Sequence, residues 1–170
     1  GQPFLKKLAN ENPITSVNVL ARLYGNNVMC VADYKSPTFK KNTSYQRGKL
    51  MPLIYGATSR AIIMQITGKR LENLINLENF KSDEDKNNFL KDLKSDRKKG
   101  YCFTEGQVDK GLIGFAVSIS NKKLGIVASL SSIFNLDDFL LEHEPIIYAN
   151  LTTYASVSYT HLRAHETRED

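Results

Sequence analysis

The sequence predicts an α+β domain built on one antiparallel sheet flanked by helices. Three observations carry that expectation. Residues 16–34 alternate apolar and polar positions on both sides of a Gly25-Asn26-Asn27 turn, the pattern of a β-hairpin. Residues 112–132 do the same, with LIGFAVSI and LGIVASLSS joined by a turn at 120–123. Between the two lies a stretch with helical periodicity and clear end signals. Strands, then helices, then strands again, without a βαβ rhythm, argue against a parallel sheet.

The elements follow in order. Residues 4–10 (FLKKLAN) put Phe4, Leu5 and Leu8 on one face, a short helix that Asn12-Pro13 ends. Residues 16–24 set Val17, Val19, Ala21 and Leu23 against polar neighbours, a half-buried strand, and 28–34 returns as the second. Residues 36–44 are a polar, basic loop with Pro37. Residues 45–50 predict a third strand, and Pro52 an extended segment. Residues 57–67 read as a helix with Ala61, Ile62, Met64 and Ile66 apolar; Gly68 breaks it, and Leu71, Leu74 and Ile75 mark a second short helix. Ser82 caps a third. Its first turn holds Asp83, Glu84 and Asp85 and its last Lys98 and Lys99, which complements the helix dipole at both ends. Phe89, Leu90 and Leu93 are its expected inner face, and Gly100 closes it. Short strands joined by tight turns then run to Ser132, with Gly100 and Gly111 as turn glycines. Asn135 is expected to cap a C-terminal helix that runs to about Tyr154 and bends at Pro145.

The length of 170 residues suits one domain with a sizeable core. The content of 41% apolar and 24% charged residues is that of an ordinary soluble globular protein. No apolar run nears the ~20 residues that cross a membrane, and no signal peptide opens the chain. Cys30 and Cys102 lack metal-ligand spacing and sit in apolar strand patterns, as buried free thiols of a reducing cytoplasm do. The net charge of +5 comes from basic residues gathered at 35–49 and 91–99. Without a recognition-helix or aromatic RNA-binding pattern, these read as solvated faces rather than a nucleic-acid surface.

Both ends depart from the pattern. Gly1 reads as an internal position. Residues 157–170 (VSYTHLRAHETRED) show no apolar stripe and no alternation, and resemble a translated sequencing adapter. The expected domain is therefore 1–156, followed by a non-native tail. His161 and His165, at i and i+4 with Glu166 beside them, are then an accident of the tail and no metal site. Setting aside Arg163, Arg168, Glu166, Glu169 and Asp170 lowers the 23 basic residues to 21 and the 18 acidic ones to 15, a net +6. His143 is the remaining histidine, read as a surface or packing residue.

Ser129 and Ser131 are two residues apart in a strand, so their hydroxyls share a face. Val127 and Leu130 are assigned to the other. Two hydroxyls on one sheet face suggest a surface that hydrogen-bonds something small and polar. Residues 97–132 supply no nucleophile with a base and no metal cage, which points to a sensor or binding module with no cofactor. Cys102 and His143 are the one conceivable catalytic pair, and nothing in the sequence places them together.

The motifs GNNVMCVADYKSP (25–37), RGKLMPLIYGATSRAII (47–63), RKKGYCF (97–103) and KGLIGFAVSI…LGIVASLSS (110–132), in this order, resemble the effector-binding domain of IclR-type bacterial transcription regulators. The resemblance covers nearly all of 1–156. It implies a GAF-like domain that binds a small organic, carboxylate-bearing effector. It also implies a homodimer or homotetramer, and operator DNA bound by an N-terminal winged helix-turn-helix domain that this chain lacks. The family's pocket falls on named positions. Ala57 and Thr58 offer backbone N–H groups at a helix opening; Ser129 and Ser131 supply hydroxyls; Met51 and Leu112 form apolar walls. Thr104 stands where relatives carry an acid, Gly114 where some carry a thiol, and Ala57-Thr58-Ser59 replaces a more Gly-rich turn. These departures imply a ligand larger or less polar than a two- or three-carbon keto acid. The alternative is a GAF-like ligand-sensing or dimerisation module of another signalling protein.

Overall fold

The computed structural model describes residues 3–169, and of 157–161 and 163–169 the backbone alone. The first hairpin forms where its turn predicts it. Strands β1 (Val17–Tyr24) and β2 (Asn27–Lys35) pair antiparallel from Tyr24↔Asn27 back to Val17↔Lys35, with one slip of register between Leu20 and Ala21. A two-residue strand β3 (Leu50–Met51) lies on the outer edge of β2. On the other side, β4 (Cys102–Glu105), β5 (Leu112–Asn121) and β6 (Ile126–Asn135) form a meander. The two hairpins join through β1 and β6, Val17↔Ile133 to Arg22↔Ala128. The result is one six-stranded antiparallel sheet in the order β3-β2-β1-β6-β5-β4.

Period-two alternation sends each strand's side chains to two different cores. On one face Leu20, Phe115, Leu130 and Phe134 pack with helix α1 (Pro3–Glu11) and helix α5 (Glu144–Glu169), through Leu5, Leu8, Ile147, Leu151 and Leu162. On the other, Val17, Val19, Ala21 and Ile133 meet the helical insert: α2 (Ala57–Ile63), α3 (Gly68–Asn76) and α4 (Asp83–Lys99), through Ile62, Ile63, Leu74 and Leu93. The domain is α+β as expected, a sheet between two helical layers.

Several expectations need correction. β1 is buried on both faces rather than one, because α1 covers its even positions. Asn18 survives there since its amide donates to Leu5 O at 3.0 Å and its carbonyl oxygen accepts from Ser132 Oγ at 2.7 Å. The third strand shrinks from 45–50 to Leu50–Met51. Arg47 N donates to the Asp33 carboxylate and Lys49 N to Gln46 O, which makes a tight turn, and Gly48 and Lys49 then both bond Cys30, a bulge before the regular pairing begins. α2 stops at Ile63, four residues early. α4 matches at both ends: Ser82 Oγ accepts from Asp85 N at 3.1 Å, and Gly100 adopts φ +84°. Phe89 and Leu93 are its buried face, whereas Leu90 is exposed. Asn135 caps only a single 3₁₀ turn, Leu136–Asp138. A second, Leu141–His143, precedes α5, whose first turn contains Pro145. Proline in a first turn forfeits no helical hydrogen bond, and α5 runs on through it without interruption. Its backbone continues past Tyr154 to Glu169, through the tail, and Leu162 is buried. The side chains of His161, His165 and Glu166 lie outside the described residues.

Candidate functional site

The sheet beneath α2 is made of small residues. Gly114, Ala116 and Ser118 on β5 stand across from Ile133, Ser131 and Ser129 on β6. Small side chains let the helix approach closely. A Cβ added at Gly114 would lie 3.4 Å from Ala57 Cβ and 3.5 Å from Ile133 Cδ1.

Hydroxyls then fasten the helix down. Ser129 Oγ donates to Thr58 O at 2.8 Å, and Ser118 Oγ donates to Ala61 O at 2.6 Å. Thr58 Oγ1 and Ser131 Oγ share a hydrogen bond at 2.7 Å. Ala57 N donates to Thr104 Oγ1 at 3.0 Å. Ser59 Oγ donates to Pro52 O at 2.5 Å. Thr58, Ser59, Thr104, Ser129 and Ser131 are all buried. A backbone carbonyl has two lone pairs, so it accepts a sheet serine without giving up its helical bond. Val127 packs on the α2 side with the two serines, and Leu130 on the opposite side. Assigning Val127 to the other face was wrong: residues 127, 129 and 131 share parity.

A turn roofs the cluster. Gly56, at φ +90°, precedes α2, and its N–H donates to Gln107 Oε1 at 3.0 Å. A Cβ at Gly56 would sit 2.6 Å from Val108 Cγ2, so both the backbone conformation and the contact require glycine here. The 105–111 turn is tied further: Asp109 accepts from Ser44 N at 2.9 Å and from Ser44 Oγ at 2.7 Å. Buried Tyr45 brings its phenol to the Thr58 hydroxyl. Its pKa is pushed up by burial and by the Asp109 charge, against which the Thr58 bond works.

The structure thus gathers Ala57, Thr58, Thr104, Gly114, Ser129 and Ser131 at one place, and sets Met51 and Leu112 in the apolar core on the same face of the sheet. The polar groups bond one another. In particular the Ala57 amide, expected to face an anion, is held by Thr104. Tyr45 and Gln107 escaped the sequence reading. Tyr45 looked like the start of a strand, and Gln107 like one residue of a polar turn; the flanking Gly106 and Gly111 were the available signal.

The conceivable catalytic pair is not assembled. Cys102 packs under α2 with Ala57, Ala61 and Ala116, where burial pushes its thiol pKa up. His143 sits beside Phe139, which packs in the α5-side core, and its Nδ1 accepts from Leu140 N at 3.0 Å. Cys30 is likewise pushed up to about 12, chiefly by burial, so both thiols keep their protons near neutrality. Among the described residues no group of three metal-binding side chains converges, and no helix is long and apolar enough to cross a membrane.

No protein-family model and no curated protein matches the sequence. Solved structures do match in fold. The C-terminal domain of a transcriptional regulator from Vibrio cholerae superposes with a TM-score of 0.73 at 17% identity, over 91% of each chain. An IclR transcriptional regulator from Alicyclobacillus acidocaldarius gives 0.78 at 17% identity, over 92% of this chain and 64% of that one. An IclR homologue from Microbacterium hydrocarbonoxydans, complexed with 4-hydroxybenzoate, gives 0.76 at 18% identity, over 95% of this chain and 66% of that one. The chain thus spans about two-thirds of the length of the latter two, and its α+β fold is the one these regulators' C-terminal domains share.

Proposed function

We propose that this chain is the small-molecule-sensing regulatory domain of an IclR-type transcription regulator, and that its effector binds at the hydroxyl cluster beneath α2. The observation that carries the reading is the convergence of Tyr45, Thr58, Thr104 and Ser131 under one short helix, in a fold shared with a regulator complexed with 4-hydroxybenzoate. The role is binding rather than turnover.

The chemistry follows from the groups present. Hydroxyls both donate and accept, so the cluster suits a ligand with oxygen atoms on one edge. Each bond to the ligand replaces one within the cluster, so net affinity depends on the difference between the two sets. Met51 and Leu112 supply apolar surface for the rest of the molecule. We take the effector to be a small organic carboxylate. Its binding shifts the relative arrangement of subunits in a dimer or tetramer, and so alters operator affinity through a separate N-terminal domain. Couplings of this kind are typically ~1–3 kcal/mol.

A thermal-shift screen of small carboxylates, aromatic acids including 4-hydroxybenzoate, and sugar acids tests the reading. A ligand at ~100 times its dissociation constant adds ~2.7 kcal/mol of stability. The expected result is a hit that Ser131→Ala weakens while the circular dichroism spectrum stays unchanged. A well-folded protein with no hit would sink the proposal and favour a dimerisation module.

A further inference from the structure

A cleft of about 250 Å³ opens between α2, α4, the segment before α2 and Gln107 of the turn that roofs the hydroxyl cluster. Arg60 lines it and is only 5% exposed. Its Nη1 is held by the buried Asp96 carboxylate at 3.3 Å. Its Nη2 has an approach from Asp92 at 3.9 Å, too long for a hydrogen bond. Its Nε is buried without an acceptor. The edge formed by Nε and Nη2 is one that takes a carboxylate in two parallel bonds. Asp92, whose side chain is 55% exposed, stays at arm's length from it.

The rest of the cleft suits a ring. Phe80 and Phe89 pack with centroids 5.7 Å apart and both line the cleft, with Tyr55 as a third aromatic wall. Its volume falls just below the range of drug-sized pockets, ~300–1,000 Å³, which fits a single ring with one substituent. Lys81 adds a positive charge, while Asp92 and Asp85 oppose an anion.

We propose that this cleft is a second ligand site, which takes a one-ring aromatic carboxylate side-on against Arg60 with its ring against Phe80 and Phe89. Seating the carboxylate requires Asp92 to swing aside, and gives Nε the acceptor it lacks. The site shares Gln107 with the roof of the hydroxyl cluster but none of the cluster's hydroxyls, so Thr58 and Ser131 tell the two sites apart.

The charge arrangement gives the test its sign. Benzoate, with benzylamine as a cationic control, is titrated into the full chain. The Arg60 Nε–H signal and the Asn88 and Phe89 backbone amides are followed by NMR. The expected result is a saturable shift with benzoate at all three and none with benzylamine. Asp92→Asn then tightens benzoate binding about two- to fivefold, and Lys81→Ala weakens it by a similar factor, the range of a partly exposed charge pair. Both residues are exposed, so these variants leave the buried Arg60–Asp96 pair intact. Unchanged or weaker binding in Asp92→Asn, an equal response to benzylamine, or no saturable shift would overturn the site. So would benzoate shifts confined to Thr58 and Ser131, although that result would favour the effector pocket.

Discussion

Thr58 carries two jobs on one residue. Its carbonyl accepts from Ser129, and its hydroxyl is bonded to Ser131. Ser129→Ala removes only the first bond and leaves a carbonyl that α2 itself still engages, so chemical denaturation should show a loss of ~1 kcal/mol. Thr58→Val keeps the shape but strands the buried Ser131 hydroxyl, and the expected loss is larger, ~1–3 kcal/mol. The reverse order would mean that the sheet serines do not pin the helix. Restoring a thiol at Gly114 should also destabilise, by ~1–3 kcal/mol, since Ala57 already lies at 3.4 Å from the new Cβ. The pairing of hydroxyls on one face was legible from their spacing. That the face lies against α2 is not legible from local pattern, because the contact is made between residues more than 70 positions apart; the family resemblance alone puts Ala57 and Thr58 in one pocket with these serines. The thiols make a separate prediction. Burial raises Cys30 from 9.0 in the unfolded chain to about 12 in the fold. The folded state thus holds its proton more tightly, and the stability this represents is fully present below pH 9 and lost as pH rises toward 12. Stability measured across that window should fall, and Cys30→Ala should flatten the slope by at most ~1.4 kcal/mol per pH unit, the limit for one proton.

Among the helices, α4 was legible to the residue because both of its ends are written locally. Ser82 reaches only to Asp85, and Gly100 takes the left-handed conformation that ends many helices. Ser82→Ala should cost ~0.5–2 kcal/mol. Gly100→Ala should cost at least as much. It strains the backbone at φ +84° and sets its Cβ 3.3 Å from Tyr148 Oη. Urea unfolding of both variants checks this; a neutral Gly100→Ala would contradict the left-handed cap. β3 was the least legible element. Residues 45–50 have strand-like composition, but the Asp33 carboxylate captures the Arg47 amide, a turn closes from Lys49 N to Gln46 O, and Gly48 and Lys49 both bond Cys30 as a bulge, so only Leu50 and Met51 pair in regular register. Such a capture depends on the tertiary position of β2, which no local window contains. The same holds for Pro145: its sequence reads as a kink, and only the position of the helix start, one residue before it, makes it harmless.

At the scale of the molecule, the sheet separates two packed faces, and both proposed sites fall on one of them. The insert α2–α4 holds both candidate sites, while α1 and α5 close the opposite core. A network of Asn12, Ser16, Asn18 and Ser132 links α1 to the central strands. The pair Ser131 and Ser132, neighbours on β6 whose hydroxyls bond Thr58 on one face and Asn18 on the other, is one link between α2 and α1 through the sheet. The division also bears on the tail. Among the residues whose side chains are described, Leu162 is the one core residue beyond position 156. We take 157–170 to be dispensable to the domain, as its composition suggests. A chain ending at Ser156 should fold and unfold cooperatively, with an unchanged denaturant slope. The buried Leu162 by itself accounts for a loss of ~2–5 kcal/mol. Leu162→Ala in the full chain sets the comparison. If truncation costs no more than that substitution, the tail contributes one contact at most. If it abolishes the cooperative transition while Leu162→Ala does not, the part of α5 after Ser156 belongs to the fold, and the domain extends beyond 156.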